Sequence, residues 1–248
     1  MRKLFLAALL LSLSVCAFAQ QDYVGRFDVF TGFSFLDSPK LDLQQRGINT
    51  QIGYNARRWL ALGIDYSIQN GHASLLPSDL KTGYATELNG LVLEGKAGLI
   101  PGFPTLPASY VLWAPFNATT QTFTAGPQLN YRHFKKVTLF VHPSIGAIHE
   151  YIAIGTHNDA FISNLVLPAL LGELPGTTPV LKTLRPNDTT YFYGFGGGGD
   201  FNATKHFHLR VDIEFVHVDL FSGILADARN SLRFSVGPTF NFGKNVTR

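Results

Sequence analysis

The chain has 248 residues, of which 15% are charged, 46% hydrophobic and 13% aromatic, so it has fewer charges than the quarter or so usual in soluble proteins. Two of the charges behind its formal net charge of +3 lie in the first three residues. The nearly neutral remainder argues against a nucleic-acid-binding protein, and no apolar run reaches the roughly 20 residues of a membrane-spanning helix.

The first 19 residues have the features of a secretory signal peptide. A basic start precedes an apolar run over residues 4–15, and the small-residue pattern "AFA" ends at Ala19. We expect cleavage after Ala19 and one domain over residues 20–248. Cys16, the only cysteine, would leave with the signal peptide, so we expect no disulfide. The alternative, a lipoprotein with a lipidated Cys16, is disfavoured by the bulky Val15 before it.

Alternation of apolar and polar residues, which is typical of β-strands with one apolar face, dominates the rest of the chain. It is visible in "YVGRFDVFTGFSF", "GINTQIGYN", "WLALGIDYSIQ", "QTFTAGPQLNYR" and "VTLFVHPSIGAI". It continues through "YFYGFGGGGDF", "FHLRVDIEF" and "SLRFSVGPTFNFG". These runs predict eight strands, most of them long enough to cross a bilayer at a tilt. In the alternative of ten strands, residues 84–100 add a strand pair.

The connections between these runs are of two kinds. Three are tight and basic, "NARRW", "RHFKK" and "NATKH". The others are longer and lie near residues 37–46, 70–118, 153–188 and 218–229. Short turns at one end and long loops at the other are the layout of a closed, antiparallel, up-and-down transmembrane β-barrel. We therefore predict an all-β fold of that type.

Several glycines and prolines lie within the predicted strands. Gly194, Gly196 and Gly199 match the order G-x-G-x-x-G, but a dinucleotide-binding loop requires a helix after it, and here a turn and a strand follow. We expect Gly194, Gly196 and Gly198 to line the lumen of the sixth strand and to make room for long side chains opposite. Prolines inside strands favour bulges or strand ends, and this expectation applies to Pro127, Pro143 and Pro238.

The strand–turn–strand units "FTAGPQLNYRHFKKVTLFVHPSIGA" and "YGFGGGGDFNATKHFHLRVDI", with the closing "SLRFSVGPTFNFG", resemble the small bacterial outer-membrane β-barrels of the OmpA/OmpX type. The resemblance covers most of the chain and implies a location in the bacterial outer membrane, lipid as a partner, a monomer and no cofactor. The sequence departs from the family pattern after its last predicted strand, because such barrels usually finish on an aromatic residue, whereas "GKNVTR" follows Phe242.

The polar faces of the strands would meet inside an eight-stranded barrel, whose interior is about wide enough for side chains to fill. Four cations and five anions fall on these faces, close enough to balance for a paired network. The two interpretations are a polar plug, which we favour, and a gated ion path. The residues of this predicted network are Arg26, Asp28, Asp65, Arg132, Asp200, Arg210, Asp212, Glu214 and Arg233.

Aromatic residues flank the short turns, where an interfacial girdle would lie; these are Tyr54, Trp59, Tyr131 and Phe201. The two longest loops carry many apolar residues, and "FISNLVLPALLGEL" favours a short helix interrupted at Pro168. Either these loops form an apolar docking surface, or they pack on each other as a cap. The apolar residues concerned are Leu75, Leu76, Val111, Leu112, Trp113, Phe116, Leu165, Val166, Leu167 and Leu170.

The sequence contains eight histidines, but we find no motif of a metal site or of a hydrolase that would give them a catalytic role. We predict a non-enzymatic outer-membrane barrel that acts in envelope structure or surface interaction through loops 70–118 and 153–188. One alternative is a narrow pore. A second is a lipid-modifying enzyme in which His149, Glu150 and a serine imitate a Ser/His/acid set, although such a set is recognised by geometry rather than by composition.

Overall fold

The computed structural model describes residues 21, 23–155, 159–173, 185–227 and 229–246. The predicted signal peptide and its cleavage site lie outside these residues. Eight antiparallel strands pair in chain order, and the last pairs with the first, so the sheet is a closed barrel. The strands are β1 Gly25–Ser38, β2 Leu43–Asn55, β3 Leu60–Leu75, β4 Ala114–Tyr131, β5 Val137–Ile154, β6 Asn187–Asn202, β7 Phe207–Val218 and β8 Arg229–Asn245.

The period of two observed in the sequence is the period of burial in the barrel wall. In β7, exposed and buried residues alternate without exception from Phe207 to Val218. The three predicted tight turns connect β2 to β3, β4 to β5 and β6 to β7. The start of β1 and the end of β8 lie at the same end of the barrel as these turns. The other connections meet at the opposite end, which is the extracellular end of such a barrel.

The prediction of a longer connection at residues 37–46 is wrong. β1 and β2 continue their pairing up to Ser38 and Leu43, so residues 37–46 contain only a tight turn built on the 3-10 helix Pro39–Leu41. The strands beside the other three long connections also extend further than predicted. We call the extracellular segments, residues 39–42, 76–113, 159–173 and 219–227, the cap.

The ten-strand alternative is also wrong, because residues 84–100 contribute a helix rather than a strand pair. Helix α1, Thr82–Lys96, buries Leu88, Val92 and Gly95, which are spaced as residues on one face of a helix. In the third long connection a π-helical turn, Ile162–Val166, runs into a single α-helical turn, α2, Leu167–Leu170. The helix widens before Pro168 instead of breaking there, which accommodates the missing N–H of the proline. Among the described residues, no helix is long and apolar enough to cross a membrane.

The three strand prolines lie neither at bulges nor at strand ends, contrary to the expectation from the sequence. Pro127 in β4 and Pro143 in β5 face each other across one ladder, where the pairing stops after Ala125 and resumes at Leu129 in the same register. Pro238 lies at a similar interruption between β8 and β1. Because proline has no N–H to donate, a local opening of the ladder accommodates it without a shift of register.

The chain continues β8 beyond Phe242. Val246 is 3% exposed, and its backbone N–H donates to the carbonyl of Val24 at 2.8 Å, while the side-chain oxygen of Asn245 accepts from the N–H of Val24 at 2.9 Å. The residues after the last aromatic position therefore extend the seam that closes the barrel.

The polarity of the two faces reverses along the strands. Near the short turns and in the middle of the barrel, apolar residues point outward and polar residues inward. Toward the cap the inward residues become apolar, as at Leu43, Phe116 and Ile148, and join one buried apolar cluster with the cap. The outward neighbours there are polar, as at Gln44 and Asn117. The apolar core thus lies in the upper barrel and the cap.

Candidate functional site

A bidentate ion pair occupies the lower lumen, toward the short turns. Arg210 donates from Nε and Nη2 to the two carboxylate oxygens of Asp200 at 2.7 and 3.0 Å, and its Nη2 lies 3.6 Å from Asp28. The rings of Phe30 and Phe140 lie 5.9 and 4.9 Å from its guanidinium carbon. A buried guanidinium is tolerated when counter-ions and hydrogen bonds surround it in this way.

Arg132 lies closer to the short turns and is held by neutral acceptors. It donates to the side-chain oxygens of Asn55 and Gln21 at 3.0 and 3.2 Å and to the backbone carbonyl of Arg58 at 2.9 Å. Asn55 also donates to Asp28 at 2.9 Å, which links Arg132 to the pair above it. These contacts close the lower end of the lumen with hydrogen-bonded side chains.

Arg233 is the centre of a second layer. Its Nη1 lies 3.0 Å from Asp65 and its Nη2 lies 2.6 Å from Glu214, while the ring of Phe192 lies 5.5 Å from the guanidinium carbon. Asp212 in β7 lies 3.1 Å from the Nε2 atom of His142 in β5, on the far side of β6. The side chains of Arg233 and Glu214 are 2% and 1% exposed, so the centre of this layer is buried within the barrel.

The glycines of β6 leave space for this packing. A Cβ atom on Gly194 would lie 2.3 Å from a carboxylate oxygen of Glu214 and 2.4 Å from the hydroxyl of Ser144. On Gly198 it would lie 2.9 Å from the ring of Phe140. A turn and β7 follow this segment, as the sequence predicted, and no helix opens there. Glycine in β6 therefore makes room for a long acid and an aromatic ring in a narrow barrel.

Large apolar side chains cover the outward face of every strand. Tyr54, Trp59, Tyr131 and Phe201, predicted as the girdle, are 41%, 56%, 56% and 53% exposed beside the short turns. A closed sheet pairs its backbone groups internally, and an apolar exterior around a polar interior suits a bilayer rather than water. The chain is a transmembrane barrel of the outer-membrane type.

No protein-family profile and no curated protein matches the sequence. Among solved structures, the barrel is similar to Neisserial surface protein A, with a TM-score of 0.48 and 9% identity over 87% of this chain and 96% of that chain. OprG from Pseudomonas aeruginosa gives 0.47 and 10% over 92% and 100%. Ail, the attachment invasion locus protein of Yersinia pestis, gives 0.44 and 12% over 90% and 100%. At these identities the likeness concerns the fold alone.

A charge on the lipid-facing surface tests the orientation of the barrel wall. Ile213, near the middle of β7, is 49% exposed and points outward. We expect Ile213→Arg to lower the free energy of unfolding by about 2–4 kcal/mol in lipid vesicles, measured by urea titration, because an arginine near the bilayer midplane is poorly solvated. The control Asn117→Arg, on the outward face near the cap, should cost about 0–1 kcal/mol. Equal losses in the two variants would contradict this orientation.

One residue of the predicted network lies elsewhere. Arg26 sits at the register shift between Gly25 and Phe27, and its guanidinium carbon lies 5.7 Å from the ring of Tyr54 on the outer face. The shift breaks the alternation on which the prediction depended. The other eight residues point into the lumen and are at most 9% exposed.

A further buried ion pair was missed by the sequence analysis. Arg229 donates to Glu150 at 2.9 Å, and Thr120 donates to the second carboxylate oxygen of Glu150 at 2.8 Å. The predicted fifth and eighth strands stopped at Ile148 and began at Ser231. Extending each run by two residues in the same phase would have placed both charges inside the barrel.

The cap is formed by loops that pack on each other, so the alternative of an apolar docking surface is wrong for most of the residues that suggested it. The ring of Phe161 lies 6.3 Å from Phe103 and 5.6 Å from Tyr110, which joins the second and third long connections. Leu112, Phe116, Val166 and Leu167 are buried, and Leu75, Leu165 and Leu170 pack against the same cluster. Only Val111 and Leu76 among the predicted residues are markedly exposed, at 65% and 39%.

A polar contact also joins the two connections. The hydroxyl of Tyr110 donates to Asp159 at 2.8 Å, and Asp159 accepts from the N–H groups of Phe161 and Ile162 at 2.8 and 3.3 Å. Burial, together with the hydrogen bond to Asp159 and its negative charge, raises the pKa of Tyr110 well above its usual range. Tyr110 therefore remains a hydrogen-bond donor throughout the physiological pH range.

The histidines do not converge on a reactive site in the part of the chain that the structure describes. His149 points outward and contacts the hydroxyl of Thr189 at 2.7 Å, whereas Glu150 points inward to Arg229. The sequence-based Ser/His/acid alternative at this position is therefore not assembled, because adjacent strand residues face opposite sides. Within the same residues, no group of three or more His, Cys, Asp or Glu could hold a metal ion.

Proposed function

We propose that the chain is a non-enzymatic, monomeric barrel of the bacterial outer membrane whose extracellular cap serves in surface interaction. The observation that supports this role is the filled interior. Ion pairs centred on Arg210 and Arg233 occupy the lower and middle lumen, and an apolar core continuous with the cap occupies the upper part. The membrane-spanning part then acts as an anchor, and the cap is the folded element available outside the cell.

The lumen still contains a cavity of about 40 Å³ between the layers of Arg210 and Arg233, lined by both polar and apolar residues. It is large enough for ordered water. The two arginines beside it are only 3% and 2% exposed, and Phe30 and Phe192 are at most 1% exposed. The burial of these four side chains favours the interpretation of the cavity as a pocket within the plug rather than as part of a continuous aqueous path.

Conductance in a planar lipid bilayer tests this proposal. We expect the refolded barrel to insert without stepwise currents, because the buried ion pairs and the apolar core leave no hydrated route. Insertion is verified independently by a heat-dependent shift in gel mobility of the reconstituted protein. Regular current steps that change in size in Arg210→Gln or Glu214→Gln would contradict the plug and support a narrow pore.

A further inference from the structure

The cap encloses an apolar cavity. The space within it that a water-sized sphere can enter is about 80 Å³. Its walls come from α1, from the third connection and from the upper ends of β4 and β5, and Phe221, Ile224 and Leu225 of the fourth connection complete them. The cavity thus exists only because several connections fold together.

Among the described residues, its lining is apolar with a single ionisable exception. Glu150 lies at the cavity wall and is 2% exposed. One of its carboxylate oxygens accepts from Arg229 at 2.9 Å and the other from Thr120 at 2.8 Å. Its charge is therefore already compensated, and the remaining lining residues are leucine, isoleucine, valine, alanine, proline and phenylalanine. A charged ligand would lose its hydration here without gaining a partner.

Water is a poor occupant of such a cavity, because it would find few polar partners. The lining side chains, among them Leu88, Leu112 and Leu167, gain dispersion contacts only from an apolar occupant. Leu76 lies at the cavity and is 39% exposed, which places part of the lining at the outer surface.

We propose that this cavity binds a small, neutral, apolar molecule no larger than a single aromatic ring or a short aliphatic chain. The inference deepens the role proposed for the cap and rests on it. It gives surface interaction a chemical class of ligand, and it assigns the recognition to shape and apolar contact rather than to charge.

Partition of toluene tests the site. The refolded barrel in lipid nanodiscs and empty nanodiscs are equilibrated with toluene, and the free toluene is measured in the headspace. We expect a saturable excess of about one molecule per barrel over the empty discs. Benzoate, which has a similar ring and a negative charge, should show no saturable excess because its carboxylate would be buried without a partner.

Variants locate the binding. Ala114→Phe places a ring into the cavity and should weaken the saturable component at least about tenfold. The control Leu93→Phe adds a ring on the exposed side of α1, where Leu93 is 66% exposed, and should leave binding unchanged. If Ala114→Phe lacks the heat-dependent gel shift of a folded barrel, Leu88→Trp replaces it as the blocking variant.

The absence of a saturable excess in the unmodified barrel would overturn the inference, and so would equal binding in the blocking and control variants. The outcome is separable from that of the conductance test. A silent barrel without toluene binding contradicts only the ligand site. A conducting barrel that binds toluene contradicts only the plug.

Discussion

Arg233→Met is expected to lower the free energy of unfolding by about 3–5 kcal/mol in lipid vesicles. The substitution keeps an apolar stem of similar length and removes the guanidinium from between Asp65 and Glu214, which lie 3.0 and 2.6 Å from it. Glu214 and Asp65, whose side chains are 1% and 11% exposed, would then have lost their shared counter-ion. The loss is measured by urea titration followed by tryptophan fluorescence.

The matched control is the same substitution at Arg26, which lies over Tyr54 on the outer face. Arg26→Met should change stability by less than about 1 kcal/mol, since Arg26 is partly exposed, lies outside the lumen and has no buried counter-ion among the described residues to leave unpaired. A triple variant that combines Arg233→Met with Asp65→Asn and Glu214→Gln should recover part of the loss, because no unpaired charge remains. If Arg26→Met cost as much as Arg233→Met, the assignment of the two arginines to opposite faces would be wrong.

Phe161→Ala is expected to lower the local stability of the cap by about 3–5 kcal/mol, the usual cost of removing a buried phenylalanine ring. Phe161 is 4% exposed and contacts Phe103 and Tyr110. A Cβ on Gly95 would lie 3.2 Å from the same ring, so α1 also packs against it. The barrel ladders do not pass through this residue, and the global transition in urea should therefore change little.

Limited proteolysis from outside lipid vesicles measures this effect. Cleavage within residues 97–113 should be faster by about two orders of magnitude or more in Phe161→Ala, because transient opening of the cap exposes the chain. Leu99→Ala is the control, since Leu99 lies in the same segment and is 70% exposed. Unchanged cleavage in Phe161→Ala would show that the connections do not depend on one another.

Alternation in the sequence was sufficient to predict the membrane-spanning part of the barrel. Within the bilayer the outer face is apolar and the inner face polar, so each strand carries a strong signal of period two, as in β7. The eight strands, the three tight turns, the girdle and the position of Gly194 in a strand follow from it. The inward position of eight of the nine predicted network residues followed from the same signal.

The errors in the prediction lie at the strand ends above the bilayer, where the environments of the two faces change. Above the bilayer the outer face meets water and the inner face meets the apolar cap, so the strand ends carry the opposite pattern or a mixed one. Leu43 and Gln45, both 0% exposed, therefore lay in a predicted loop, although they belong to β2. The helical face of α1 was overlooked because Leu88 and Val92 stand among other apolar residues that are exposed, such as Leu93.

The contacts among side chains could not be predicted. Alternation assigns a residue to one face of the sheet but not to a position along the barrel axis. It therefore gives no indication that Arg233 contacts Asp65 and Glu214 while Arg210 contacts Asp200. A register shift of one residue, as at Arg26, also has no signal in a pattern of period two. Partner choice depends on strand tilt and on rings such as Phe140, which only the closed barrel brings together.

The reversal of polarity along the strands matches this barrel to one hydrophobic thickness of the bilayer. In a thicker membrane, outward polar side chains near the cap, such as Gln44 and Asn117, would enter hydrocarbon. In a thinner one, outward apolar residues such as Ile145 would meet water. Each ångström of such mismatch costs a fraction of a kcal/mol, and a closed barrel has little freedom to adjust its length. The lipid around this protein must therefore adapt to the barrel rather than the reverse.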